Sequence, residues 1–175
     1  MEFTVVVLVL QIIVSVAFFA QKAFLLAGKK SNWLIGALTA IVGVIYFYLV
    51  NMYIYSALDC GLIILMAYGF FKKEKKNPTI EMFIRITVAI IMTVLLFAAF
   101  AGIIGVLEFI SSLGLMFGTY WLTHKKVKIG WIAYITAHIF GIIVGYSHNQ
   151  ITFADFQIAS AIVCFAGLSI AISKK

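Results

Sequence analysis

The chain of 175 residues has one proline, two cysteines and six acidic residues, and only 11% of it is charged. A soluble domain carries about 25% charged residues, so there is too little polar surface here for a molecule bathed in water. The lone proline, Pro78, leaves the long apolar runs without a proline hinge. Cys60 and Cys164 lie inside apolar segments without metal-type spacing, which implies neither a disulfide framework nor a zinc site. They read as small apolar residues. Walker loops, nucleophile elbows, HExxH and CxxC are all missing, so nothing points to an enzyme or to a cofactor.

Hydrophobic residues make up 65% of the chain, and its mean hydropathy is +1.15. These values imply an integral membrane protein. Each spanning helix uses roughly 20 apolar residues, so seven would fill the length and leave no soluble catalytic domain. Apolar runs near 3–25, 32–50, 53–71, 80–100, 103–122, 129–147 and 151–172 read as those helices, with a turn expected within 98–105. The first run follows Met1-Glu2-Phe3, with no positive start, and Phe18-Phe19-Ala20 lacks a small-residue cleavage pattern. It is expected to be a retained helix rather than a signal peptide.

Thirteen lysines and arginines against six acids give a net charge of +7. They gather at Lys22, Lys29 and Lys30; at Lys72, Lys73, Lys75, Lys76 and Arg85; at Lys125, Lys126 and Lys128; and at Lys174 and Lys175. Seven spans with an outward N-terminus put every cluster on one side, which the positive-inside rule makes cytoplasmic. The charge is thus expected to record topology, N-out and C-in, rather than a nucleic-acid partner. Arg85 is expected to snorkel to that face, and Trp33, Trp121 and Trp131 to form an interfacial belt.

The sequence also matches itself at an offset of 98 residues. Trp33/Trp131, Ile41/Ile139, Gly43/Gly141, Ile45/Ile143, Tyr48/Tyr146 and Asn51/Asn149 coincide without gaps, and Gly69/Gly167 follows. The expected organisation is 3+1+3: a first three-helix repeat over 1–71, a basic loop and linker helix over 72–101, and a second repeat over 102–175, both repeats facing the same way. Parallel repeats recur in transporters, with the substrate site near the midplane between them.

Ionisable groups within a membrane span are candidates for function, because a charged side chain there costs about 2.5–3.5 kcal/mol on insertion scales. Asp59 and Gln157 share the 98-residue relation; Glu108 and Gln11 miss it by one residue. His138 lies at the middle of its helix. These five are the candidate substrate groups, and they read as lining a polar cavity that opens outward and is closed below by apolar side chains. Tyr48 and Tyr146 are added as aromatic walls suited to a planar or cationic substrate. Asn51 and Asn149 are added as repeat-related polar residues at the outer helix ends.

The stretch Trp33…Gly43-Val-Ile-Tyr-Phe-Tyr-Leu, then Tyr53…Ala57-Leu58-Asp59…Ala67-Tyr68-Gly69-Phe70, resembles the first repeat of the PnuC family of vitamin transporters. Gly118-Thr-Tyr-Trp121 with Trp131–Gly167 resembles its second. The resemblance covers nearly the whole chain through diffuse motifs. It implies a three-plus-one-plus-three fold, commonly a homotrimer in a bacterial inner or plasma membrane. It also implies facilitated uptake of a nucleoside-like B-vitamin such as nicotinamide riboside. On local alignment Asp59 and Gln157 fall on substrate-contact positions of that family, whereas Leu62 and Ser160 depart from its pattern. SWEET and PQ-loop transporters share the triple-helix repeat but use helix prolines that this chain lacks. The competing expectations are a substrate-binding subunit of an ATP-driven vitamin importer and a proton-coupled carrier relaying through Glu108 and His138.

Overall fold

The computed structural model describes residues 2–72, 78–99 and 103–173. Among them are seven α-helices: α1 (Glu2–Leu26), α2 (Ser31–Leu49), α3 (Tyr53–Phe71), α4 (Pro78–Ala99), α5 (Ile103–Thr123), α6 (Val127–Ser147) and α7 (Ile151–Ser173). Every expected apolar run is a helix. Pro78 opens α4, at the first helical position, where its missing N–H costs no hydrogen bond. The expected turn after α4 falls partly on 100–102, outside the described residues, as do Lys73, Lys75, Lys76, Lys174 and Lys175; of Arg85 the side chain lies outside them.

Among the described residues six helices, α1–α3 and α5–α7, are long and apolar enough to cross a membrane. Large apolar side chains are exposed along each of them, for example Leu8, Leu38, Ile64, Val106, Ile139 and Ile162. Such continuous apolar belts far exceed what a monomeric soluble protein exposes, and lipid is the medium that accepts them. The chain is a multi-pass membrane protein.

Helix ends are closed by one device used four times. Gly28, Asn51, Lys125 and Asn149 adopt positive φ, between 56° and 69°, and each ends a helix with a left-handed cap that returns amide protons to the last carbonyls. At the α2 end Val50, Asn51 and Met52 donate to the carbonyls of Tyr46, Tyr48 and Phe47. His148, Asn149 and Gln150 make the same bonds, 98 residues on, to Val144, Tyr146 and Gly145. At the α1 end Ala27, Gly28 and Lys29 donate to Ala23, Leu25 and Phe24. His124, Lys125 and Lys126 repeat this 97 residues on, at Tyr120, Leu122 and Trp121.

The register therefore shifts by one residue between these caps and the following tryptophans. Trp33 packs against Gly69, and Trp131 packs against Gly167. The expected tryptophan belt is corrected at Trp131, which is buried with Tyr134, Ile135 and Cys164: its ring fills the notch that glycine leaves at the α6–α7 crossing.

Neighbouring helices pack in the order α1, α2, α3, α5, α6, α7 and back to α1, closing a six-membered ring; α4 lies against α3 and α5. The exposed Ile80, Met82, Phe83, Ile86 and Ile90 put α4 on the outside. The side chains that turn into the ring decide what the molecule can bind.

Candidate functional site

Of the nine candidate residues, five are buried inside the ring: Gln11, Asp59, Glu108, His138 and Gln157. They come from five different helices, α1, α3, α5, α6 and α7, and of the five only His138 and Gln157 are hydrogen-bonded to one another among the described residues. His138 Nδ1 hydrogen-bonds Gln157 Oε1. With the amide oxygen accepting, the ring proton sits on Nδ1 and Nε2 is an acceptor; it is buried and unpartnered among the described residues. Tyr55 donates to Ser111 Oγ at 2.6 Å, and Ser111 donates to the Ala137 carbonyl at 2.8 Å. A Cβ placed on Gly141 would lie 3.4 Å from Gln157 Oε1 and 3.5 Å from Ser111 Oγ, so these two groups share one small space.

Asp59 is 1% exposed. Its Oδ2 would be 2.0 Å from a Cβ on Gly43, which means that the carboxylate occupies the volume a side chain would take on α2. Oδ2 has no hydrogen-bond partner among the described residues. A buried polar atom left unpaired costs about 1–3 kcal/mol. Ser15 and Ser112, which stand 97 residues apart on α1 and α5, are likewise buried with unpartnered hydroxyls.

Lys22 changes the electrostatics of this interior and corrects its assignment to the basic face. It is 2% exposed. Its ammonium donates to Gln21 Oε1 at 2.6 Å and lies 4.1 Å from the centroid of the Tyr134 ring. No ion pair joins Lys22 to Asp59 among the described residues. The physical reason for its burial is side-chain direction. Helical side chains tilt toward the helix N-terminus, and in α1 that tilt carries a residue near the lysine-rich end back toward the centre. Tyr134 is held in turn by Thr119 Oγ1 at 2.8 Å. The floor of the interior is thus a charged and aromatic layer rather than the apolar closure expected.

The opposite end is bridged too. Gln11 Nε2 and Tyr46 hydroxyl both donate to Gln150 Oε1, at 3.1 Å and 2.9 Å. Glu108 Oε1 lies 3.0 Å from His148 Nε2. Burial lowers the pKa of His148 from its ordinary 6.5, so this imidazole meets Glu108 in its neutral form at neutral pH. Glu108 is thereby joined to His148 and not to His138. These contacts lie across the end where an outward opening was expected, and they tie α1, α2 and α5 to the α6–α7 turn.

Four candidates are not brought to this interior. Tyr48 and Tyr146 are 64% and 46% exposed. Tyr48 stacks edge-on with Tyr53, and Tyr146 donates to Asp155. Asn51 and Asn149 are exposed turn residues whose recurrence follows from the left-handed cap, a conformation asparagine tolerates better than most residues. The inward aromatics are instead Tyr46, Tyr55 and Tyr134, each fully or nearly fully buried. From the sequence Lys22 reads only as a topological charge, and Ser111, Tyr134 and Gln150 were not singled out. The one available signal was helical spacing: Lys22 stands eleven residues after Gln11, about three turns, on the same face of α1.

Compared with protein-family models, with curated proteins and with solved structures, the chain finds no match in any of the three.

Proposed function

We propose that the chain is a membrane transporter built as two parallel three-helix repeats, α1–α3 and α5–α7, joined by α4 as a seventh span. It would mediate facilitated uptake of a small nucleoside-like or vitamin substrate, nicotinamide riboside or a related B-vitamin, across a bacterial inner or plasma membrane. The observation that carries this reading is the polar interior. Asp59, Lys22, His138 and Gln157 are buried from four different helices inside a ring whose outer surface is apolar. Groups this costly to insert are held with hydrogen-bonding capacity unspent, among the described residues, at Asp59 and His138, which suits a ligand carrying both donors and acceptors. The bonded layers above and below belong to an occluded state, and release to either side requires one layer to part.

The test is uptake into proteoliposomes containing the purified full chain, after a thermal-stabilisation screen of B-vitamins and nucleosides. A ligand at about 100 times its dissociation constant adds roughly 2.7 kcal/mol of stability. Asp59→Asn and Lys22→Met are each expected to lower uptake of the ligand found by about tenfold or more, the equivalent of 1.4 kcal/mol. Parental uptake by both variants overturns the site. Glu108 facing His148 at 3.0 Å and the buried His138 favour a second reading, a proton-coupled carrier. An imposed pH gradient then changes net accumulation, whereas a facilitator reaches the same level with and without it.

A further inference from the structure

A concave feature lies at the lysine-rich end. An open groove of about 520 Å³ is lined by residues of α1, α5, α6 and α7 and of the α5–α6 turn, among them Leu25, Leu122, Lys125, Lys128, Trp131 and Gly167. These helices are consecutive in the ring, and the lining runs from the buried Trp131 and Gly167 out to the exposed Val127 and Ile170. Its volume falls in the range of small-molecule sites, about 300–1,000 Å³.

Its walls are apolar and its rim is cationic. Lys125 and Lys128 are exposed at the mouth, and among the described residues no acidic side chain lines the groove. Trp131 is buried against Gly167, and its ring centroid is 6.1 Å from that of Tyr134. Lys22 lies over Tyr134, and neither residue lines the groove. The corresponding junction of α3 with α5 shows what such a place holds. There Glu81 of α4 lies 3.8 Å from Lys72 and 4.0 Å from His124, while Lys72 donates to the Thr123 carbonyl. At the α1–α7 junction the chain supplies no carboxylate among the described residues, and two lysines stand at the opening.

We propose that this groove is a second ligand site, for a small soluble anion with a flat apolar body such as an aryl phosphate or an aromatic carboxylate. Its charged head lies between Lys125 and Lys128, where charge-assisted hydrogen bonds are strongest, and its ring lies along Trp131 and the leucines. The site does not depend on transport through the polar interior, and its test needs no transport assay.

The experiment titrates phenyl phosphate into the purified full chain in neutral detergent, following tryptophan fluorescence and melting temperature, with inorganic phosphate, phenol and vesicles of anionic phospholipid as comparison probes. Saturable binding of phenyl phosphate is expected, with inorganic phosphate and phenol each at least tenfold weaker. The double variant Lys125→Gln/Lys128→Gln is expected to weaken binding by about tenfold or more, the scale of one or two charge-assisted bonds. Lys29→Gln/Lys30→Gln removes the same charge from the α1–α2 turn and is expected to bind as the parent does. Ile170→Trp, which fills the groove without altering charge, is expected to abolish binding. Equal binding of inorganic phosphate, equal losses in the two lysine pairs, or a response to anionic phospholipid alone each overturns the proposal.

Discussion

Lys22 shows how little a residue's position along a helix says about where its charge ends up. It stands four residues before the end of α1, beside the lysines of the following turn. The backward tilt of helical side chains nevertheless puts its ammonium over Tyr134 inside the ring. His148 makes the converse point at the other end, where its partner Glu108 comes from α5. Burial lowers the pKa of His148 below the ordinary 6.5, so above that value both the folded and unfolded imidazoles are neutral. As pH falls through 6.5 the unfolded chain takes up the proton first, and stability declines until the folded pKa is reached. Melting temperatures measured from pH 7.5 to 5.5 are therefore expected to fall more steeply for the parent than for His148→Gln. Parallel slopes would remove this assignment.

At the scale of elements, helix positions were legible because apolar runs of membrane-spanning length have few other solutions. All seven expected segments coincide with helices to within a few residues. The meaning of the conserved spacing between the two halves was less legible. Asn51 and Asn149 coincide because the same left-handed cap ends α2 and α6, and that is a requirement of the turn rather than of a ligand. The glycine pair is different. On α2, a Cβ at Gly43 would meet Asp59 Oδ2 at 2.0 Å, whereas on α6 a Cβ at Gly141 would meet Gln157 Oε1 at an ordinary 3.4 Å. Gly43→Ala is therefore expected to destabilise by about 1–3 kcal/mol, the usual cost of overpacking, and to weaken ligand binding by displacing the carboxylate. Gly141→Ala is expected to fold and bind nearly as the parent. Thermal unfolding with and without ligand distinguishes the two, and equal effects would show that α2 yields to make room.

For the whole molecule, the arrangement of turns is the most direct test of the proposed parallel repeats. In a background with Cys60 and Cys164 replaced by serine, single cysteines at Asn51 and Asn149 are expected to react with an impermeant thiol reagent from one side of the membrane. Single cysteines at Gly28 and Lys125 are expected to react from the other. If Asn51 and Asn149 react from opposite sides, α4 does not span and the two halves are inverted. The sequence by itself determined the solvent and the elements, because hydropathy and charge are sums over local residues. It carried a match with itself at an offset of 98 residues, and it pointed to Asp59, Glu108, Gln11, His138 and Gln157 because polar groups are costly in hydrocarbon. Only the tertiary structure decided which groups meet. Closing six helices into a ring sent Tyr48 and Tyr146 outward and brought Tyr55, Tyr134 and Lys22 inward. It placed Glu108 against His148 rather than His138, and it left a lysine-rimmed groove where four helices end. Each of these depends on rotation about a helix axis and on side-chain direction, and both are fixed by the packing of neighbours distant in the chain.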